Sequence, residues 1–383
     1  MDLRLNEEHE MIRKMAREFA QKEVAPIAAE IDEKARFPME NVRKMGELGF
    51  MGLTVSEEYG GAGADTLAYV IAIEEIARVC ASTAVIMSVQ NSLVCQGFEH
   101  FGDEAQKRTY LTRLASGQAL GAFALTEPEA GCDAAAQRTT ARRDGDRYIL
   151  NGTKHFITNG AYADIVLVFA MTDPAAGSRG ISAFIVEKGT PGFAAGREEN
   201  KMGIRGSSTC ELIFQDCAVP ATQRLGTEGQ GYRIALTLLD GGRIGIAAQA
   251  LGIAEGAFEA ALGYAKTRRQ FGQPIGNFQA IQWMLADMGT RIEAARLLTY
   301  RAALAKDAAQ ASGARYSLEA AQAKLFASET AVWVADRAVQ IHGGYGYMKE
   351  YPVERFYRDA KITEIYEGTS EVQRMVIAGT LLR

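Results

Sequence analysis

The spacing of apolar residues changes twice along this chain, and those two changes limit the fold more than any single motif does. Up to about residue 117 the spacing is helical. Asn6 is a good N-cap followed by Glu7 and Glu8 in a first turn, where carboxylates meet the positive end of the helix dipole. Ile12, Met15 and Phe19 then share one face. Pro38 opens a second helix in which Val42, Met45 and Leu48 repeat before Gly49, and Asp103 caps another that turns Tyr110, Leu111 and Leu114 inward. From about Gln118 to Pro220 the apolar runs shorten to Ala122–Leu125, Tyr148–Leu150, Ile165–Met171, Ile181–Val186 and Leu212–Phe214. Turn residues separate them, with Asp144-Gly145 as a hairpin signal. After Gly231 helical spacing returns, over roughly 232–265, 276–310 and 369–381. Leu318, Leu325, Val332 and Val339 recur every seven residues, as in a bundle helix packed along its length. The reading is mixed α and β, mostly α, in three domains: helical over 1–117, β over 118–228 and helical over 229–383.

A chain of 383 residues is too long for one hydrophobic core, in agreement with that division. The net charge of −5 argues against a nucleic-acid surface, which needs clustered cations. Five scattered cysteines without a C-x-x-C pair point to neither a disulfide framework nor a thiolate metal site, and a reducing cytoplasm fits best. The start, with Asp2, Arg4, Glu7 and Glu8, lacks the basic-then-apolar order of a secretory signal. Val79 to Phe98 is uncharged and long enough to span a bilayer, but Gln90, Asn91 and several Ser and Gly residues make a buried helix the better reading. No G-x-G-x-x-G follows a strand and no Walker sequence is present. The four histidines, His9, His100, His155 and His342, have no metal-ligand spacing.

Four stretches carry chemistry. In Phe123-Ala-Leu-Thr-Glu-Pro-Glu-Ala-Gly-Cys-Asp133 a strand ends at Thr126, and Pro128 and Gly131 turn the chain so that amides and hydroxyls can face a ligand. Alone, it would read as an ordinary Gly-Pro loop. In His155-Phe-Ile-Thr-Asn-Gly160, Phe156 and Thr158 are two residues apart and share one face of a strand, although Thr is common in any strand. Thr267-Arg-Arg-Gln-Phe-Gly272, with Gln279 and Gln340-Ile-His-Gly-Gly-Tyr-Gly-Tyr347, offers charge-assisted donors and glycines for close backbone approach. The plainer reading is a solvated basic helix end and a glycine turn. Ile365-Tyr-Glu-Gly-Thr-Ser-Glu371 places Glu367 just before a helix start, where a carboxylate is favoured by the dipole alone.

Together, in this order and over nearly the whole chain, these stretches resemble the acyl-CoA dehydrogenase family, most closely its short-chain, butyryl-type members. The resemblance implies a helical N-terminal domain, a β-barrel-like middle domain and a C-terminal four-helix bundle. It implies FAD as cofactor, with Phe123, Leu125, Thr126, Gly131 and Cys132 contacting flavin and substrate and the Thr126 hydroxyl on the ring. Phe156, Ile157 and Thr158 would lie against the flavin, the Thr158 hydroxyl beside N5. Arg268, Phe271, Gln279, Gln340, Gly343 and Gly344 would bind the FAD of a neighbouring subunit in a homotetramer, and Thr369 and Glu371 complete the cofactor set. Cys132, Asp240, Arg243 and Gly368 would contact substrate. Cys132 stands where the family usually has Ser or Thr, and a thiol is the poorer donor.

By the same resemblance Glu367 is the base that takes the α proton of an acyl-CoA while flavin N5 accepts the β hydride. Its backbone N–H and a ribityl hydroxyl would hold the thioester carbonyl. Product is a trans-2-enoyl-CoA, and electrons pass to an electron-transferring flavoprotein. Members that carry the base on an earlier helix place it where this chain has Gly242. An oxygen-using oxidase, and a dehydrogenase of branched or cyclic acyl-CoA, are the competing enzymes; a DNA-binding relative is disfavoured by the charge. A straight short acyl chain is the preferred substrate. No metal, nucleic acid or membrane is expected.

Overall fold

The structure, a computed structural model, describes residues 5–382. Asp2 and Arg4 of the N-terminal reading lie outside the described residues. The first helix, Glu7–Phe19, starts at Asn6, whose side chain accepts from the His9 N–H while the His9 ring accepts from the Asn6 N–H. The second helical reading becomes Met39–Glu47, with Val42 and Met45 buried and Gly49 at φ +75° as the chain leaves. Asp103 caps as expected and pairs reciprocally with Gln106. Within Val79–Phe98 the chain runs as buried helical turns from Ala81 on, Ala81–Val89 continuing through Gln90–Cys95 into Gln96–Phe101, with Val79 in the turn before. The buried amides explain how polar residues fit there: Asn91 donates to the Phe50 and Met87 carbonyls and accepts from the Leu53 N–H, while Gln90 donates to the Leu114 and Ala119 carbonyls.

The middle of the chain forms one sheet of eight strands: β1 (Gly121–Ala124), β2 (Thr140–Asp144), β3 (Arg147–Thr158), β4 (Ile165–Met171), β5 (Ile181–Glu187), β6 (Phe193–Glu198), β7 (Thr209–Pro220) and β8 (Arg224–Leu225). Their order is β6-β7-β3-β2-β4-β5-β8, with β1 added in parallel beside β4. Alternate residues of β4 and β5 serve two cores. Leu167, Phe169, Ala183 and Ile185 face the helices, whereas Val166, Val168, Phe184 and Val186 join Leu150, Leu212 and Phe214 in a core around which the sheet curls. Burial on both faces is why these two strands are unbroken apolar runs. The hairpin turn sits one residue later than the sequence suggested. Asp144 pairs with Arg147, so Gly145 and Asp146 form the turn, and Gly145 alone takes a positive φ, at the first central position of such a turn.

The C-terminal helices are Gly231–Thr267, Gln279–Ser312, Ser317–His342, Val353–Ile362 and Ser370–Leu381. On Ser317–His342 the seven-residue stripe is displaced from expectation. Leu318, Leu325, Val332 and Val339 are only half-buried, while Ala320, Ala323, Ala327, Ala331, Val334 and Ala338 face inward. Small residues let this helix and Gly231–Thr267 pack with their backbones close, and the larger side chains close the edges of the seam. Gly231–Thr267 is long and apolar enough to cross a membrane, but 78% of its most apolar window is buried inside the protein.

The N-terminal helices join the bundle through charge as well as apolar contact. Glu74, buried, accepts from Arg296 at 3.1 Å and from the Tyr300 hydroxyl at 3.1 Å; Arg296 also pairs with Glu255 and Glu293. Arg17 holds the adjacent buried Glu75 at 2.7 Å. Burial raises the Glu74 carboxyl above the ordinary range, with Arg296 opposing it. Removing one partner of such a pair leaves a buried charge uncompensated, so Arg296→Met is expected to destabilise the fold by about 3–5 kcal/mol. Denaturant unfolding followed by circular dichroism should show the loss, and Arg13→Met, at the rim of the same network, should show a much smaller one.

Candidate active site

The helix Val353–Ile362 ends in a tight turn, with the Ile365 and Tyr366 N–H groups donating to the Ile362 carbonyl at 2.9 and 3.1 Å. Glu367 follows at φ +51° and Gly368 at φ +93°. Gly adopts a left-handed conformation without penalty; Glu does so under strain, which persists only where neighbours over-determine it. Here they do. Lys324 Nζ donates to the Gly368 carbonyl at 2.7 Å, and Gln373 Nε2 donates to the Gly368 and Glu367 carbonyls at 2.9 and 3.3 Å. The Thr369 hydroxyl then caps the next helix by accepting from the Val372 N–H.

This turn drives the Glu367 carboxyl into the protein. Oε2 is shielded from solvent and has no hydrogen-bond partner among the described residues. Burial pushes the carboxyl up to about 7, and the charges of Lys324 and Arg243 pull against that rise. Gly242 is the reason the carboxyl fits: a Cβ there would overlap Oε2 and lie 3.0 Å from both the Glu367 carboxyl carbon and Leu93. One turn further along the same helix, a Cβ at Gly245 would overlap the Tyr69 hydroxyl, which hydrogen-bonds Ser88 at 2.9 Å. Tyr366 donates to Gln249 on the same side.

Asp240 and Arg243 pair at 2.5 Å, and Ser317 donates to the other Asp240 oxygen. Arg243 is buried next to Glu367, whereas Asp240 borders a cleft of about 660 Å³ whose walls include Arg179, Arg233, Arg315 and Tyr316. A second cleft, of about 500 Å³, is lined by Arg268, Gly343, Gly344, Tyr345 and Tyr264. The Arg268 guanidinium lies 5.2 Å from the Tyr345 ring centre, and added Cβ atoms at Gly343 and Gly344 would meet nothing within 4 Å. Phe271, 92% exposed at φ +49°, and the exposed Gln279 and Gln340 lie on the surface beyond it.

The β-domain residues form a third group. The His155 N–H donates to the Thr126 carbonyl at 2.8 Å, bringing the Leu125–Cys132 loop against β3. Beneath them Lys154, fully buried, donates to the Leu125 carbonyl at 3.0 Å, to Glu127 at 2.8 Å and to Gln137 at 2.9 Å. A β-bulge follows, for Lys154 pairs with Leu212 but Ile157 with Cys210, and Phe156 takes φ +57°. The extra residue reverses the alternation. Lys154 and Ile157 therefore both point inward while Phe156 and Thr158 share the outer face. Half-buried Phe123 and Thr126 accompany them, with Gly131 and Cys132 exposed at the loop tip.

The structure thus gathers Glu367, Gly368, Thr369, Asp240 and Arg243 at one place, with Glu371 exposed in the first turn beyond Thr369. It gathers Phe123 to Cys132 with Phe156 to Thr158 at a second, and Arg268 with Gly343 and Gly344 at a third. Sequence reasoning missed Lys324, Gln373, Tyr69, Ser88 and the Lys154–Glu127 pair. A lysine inside the alanine-rich run around 320–327 was the one available signal for Lys324.

Such a site, an unpaired buried carboxyl where helices of the two ends of the chain meet, in a protein that also carries a β domain and two further clefts, belongs with a fold already well represented. The descriptions "Acyl-CoA dehydrogenase, N-terminal domain", "middle domain" and "C-terminal domain" match residues 6–118, 122–217 and 229–382. The chain belongs to the acyl-CoA dehydrogenase family. It is 57% identical to a short-chain-specific acyl-CoA dehydrogenase of Clostridium acetobutylicum, over all of both chains. It superposes on butyryl-CoA dehydrogenase from Megasphaera elsdenii with a TM-score of 0.97 at 51% identity, all of both chains covered. A chain solved in a study of the electron transferring flavoprotein of Acidaminococcus fermentans is 54% identical, with a TM-score of 0.98 and full coverage of both.

The Gly242 contact generates a direct test. The overlapped atom is the far end of a flexible side chain, so Gly242→Ala should fold with a small loss of stability while its methyl expels the Glu367 carboxyl. A crystal structure of the variant should show Glu367 rotated away, and an unmoved carboxyl would refute the contact.

Proposed function

We propose that this protein dehydrogenates a short-chain acyl-CoA between its α and β carbons, with Glu367 removing the α proton. The observation that carries the reading is the Glu367 carboxyl itself: desolvated, unpaired at Oε2 and raised to about 7 by burial. An α C–H beside a thioester is a very weak acid, and a base works best when its pKa lies near the operating pH. Near pH 7 a carboxyl so placed is ionised often enough to accept a proton and basic enough to hold it. The Glu367 N–H, which has no acceptor among the described residues, is free to hydrogen-bond a thioester oxygen as negative charge gathers there.

FAD, when bound, supplies the acceptor for the hydrogen that leaves the β carbon with its electron pair. The residues present fit it. Phe156, Thr158, Thr126 and Phe123 offer two hydroxyls and aromatic surface on the outer face of the sheet. Arg268 with the open backbone of Gly343 and Gly344 offers donors suited to a diphosphate. Leu125, Gly131, Cys132, Ile157, Phe271, Gln279, Gln340, Thr369 and Glu371 are read as the rest of the cofactor surroundings, and Gly368 and Cys132 as substrate contacts. Asp240 beside three arginines is read as the entry for the pantetheine and phosphates of CoA.

A homotetramer in which each Arg268 cleft serves a neighbour's FAD is supported by the exposed Phe271, Trp283 and Tyr347 on that surface. Electron-transferring flavoprotein as acceptor is supported by the likeness to a chain solved in a study of such a flavoprotein, and a cytoplasmic location by free cysteines without disulfides among the described residues. The domains are read as 1–117, 118–228 and 229–383. A short acyl chain is read from the Tyr69–Ser88 pair, which packs against Gly245 one helical turn from Gly242, about 4.5 Å along the axis.

Two measurements test this reading. Glu367→Gln keeps the backbone N–H and side-chain shape but not the base, so anaerobic bleaching of the flavin by butyryl-CoA should slow by about 10²–10⁴-fold. Bleaching within about tenfold of wild type, less than a general base contributes, would reject Glu367. Tyr69→Leu removes the phenol end that faces Gly245, so the ratio of kcat/KM for octanoyl-CoA over butyryl-CoA should rise about tenfold or more. That follows because each added buried methylene contributes about 0.8 kcal/mol once there is room for it.

A further inference from the structure

We propose that Lys324 is a positioning residue for the base: its buried ammonium, anchored on the Gly368 carbonyl, holds a fixed positive charge beside the left-handed turn that carries Glu367. The inference rests on Glu367 being the base.

Three described lysines are buried, Lys154, Lys306 and Lys324, and the first and last of them stand in contrast. Lys154 is fully buried but surrounded by acceptors, including the Glu127 carboxylate at 2.8 Å, as an ammonium with only a structural task should be. Lys324 is equally buried, yet its one hydrogen bond among the described residues is to the neutral Gly368 carbonyl. That carbonyl already accepts from Gln373 at 2.9 Å, so Lys324 is not needed to satisfy it. An apolar or amide side chain would fill the place without burying a charge. What the ammonium adds is its charge, and the foremost charged group near it is Glu367.

The anchoring fixes where that charge sits. Ser317–His342 brings Lys324 up from one side of the turn, and the Gly368 carbonyl aims the ammonium at the residue next to the carboxyl. The other polar groups facing Glu367 are Arg243 from Gly231–Thr267, itself tied to Asp240, and the hydroxyls of Tyr69 and Tyr366. Glu364 and Glu371 flank Lys324 from the turn's own ends. Arg243 has a carboxylate partner and Lys324 has none among the described residues, so Lys324 is the less neutralised of the two cations. Burial lowers the Lys324 ammonium to about 8, still charged at neutral pH. Without it, Glu367 would titrate higher than about 7 and be protonated, hence unable to accept the α proton, over more of the neutral range.

The test uses the FAD-loaded protein with Lys324→Gln, which keeps a donor toward Gly368 but loses the charge, and Lys324→Met, which loses both. Two quantities are read. The first is the pH titration of the Glu367 carboxyl by carbon-13 NMR, assigned by its disappearance in Glu367→Gln. The second is the pH dependence of anaerobic flavin bleaching by butyryl-CoA. Both variants should move the Glu367 titration upward by about one unit or more, the usual effect of an opposite charge nearby. The rising limb of the rate profile should move with it, a loss of about fivefold or more at pH 7 that Lys324→Gln recovers at higher pH. Should Lys324→Met fail to fold, Lys324→Gln carries the test. A wild-type titration in Lys324→Gln, with Glu367→Gln inactive, overturns the role of Lys324 alone. An active Glu367→Gln overturns the reading of the base, and this role with it.

Discussion

Close approach to the backbone of one helix, Gly231–Thr267, is the constraint on which the rest of the structure depends. At four of its glycines another element occupies the space a Cβ would take: the Glu74 carbonyl at Gly252, the Arg78 carbonyl at Gly256, the Tyr69 hydroxyl at Gly245 and the Glu367 carboxyl at Gly242. The helix Thr66–Ala77 can therefore lie against it, the buried Glu74 and Glu75 reach their arginines, and the turn after Val353–Ile362 can point a carboxyl inward. A Cβ at Gly252 or Gly256 would separate the layers, because there the opposing atoms are backbone; at Gly242 it would displace the end of a flexible side chain.

The same packing decides the character of the buried charges. Near the N-terminal helices each carboxylate meets a guanidinium, and the result is cohesion. Around Glu367 the cations are near but Oε2 is left without a partner. A carboxylate whose oxygens are taken up by a guanidinium has none free for a substrate's proton; an isolated buried one would stay neutral near pH 7. The arrangement lies between these, with burial raising the group and Lys324 and Arg243 limiting the rise.

The sequence was most legible where local chemistry acts alone. Asn6 and Asp103 cap their helices, the succession of helix, sheet and helix stands, and Val79–Phe98 is a buried helix. It was less legible where tertiary packing chooses between alternatives. The leucine and valine stripe from Leu318 to Val339 was the visible pattern, yet close helix packing selected the alanines beside it. Asp144-Gly145 marked a hairpin, but strand register moved the turn to Gly145-Asp146. At the site, Glu367 and its glycine were readable from a motif, whereas Lys324 and Gln373 act on backbone carbonyls and leave no spacing to find. Tyr69 and Ser88 belong to elements far from the motif and meet it only across Gly245.

The bulge at His155 and Phe156 gives one strand two reading frames. Before it, alternate residues of β3 point inward, Lys154 last among them and holding the loop below; after it, the inward position has moved by one to Ile157, so that Phe156 and Thr158 face outward. Deleting a single residue between Lys154 and Ile157 would restore regular pairing with β7 and so improve the ladder. With Lys154 and Ile157 then two apart, ordinary alternation would still point both inward and Thr158 outward, so the facing of the strand would survive; what the extra residue supplies is the His155 N–H that holds the Thr126 carbonyl. Regularity of the ladder is thus given up here for a hold on the neighbouring loop, whereas changes of length at the Gly145 hairpin touch only a turn.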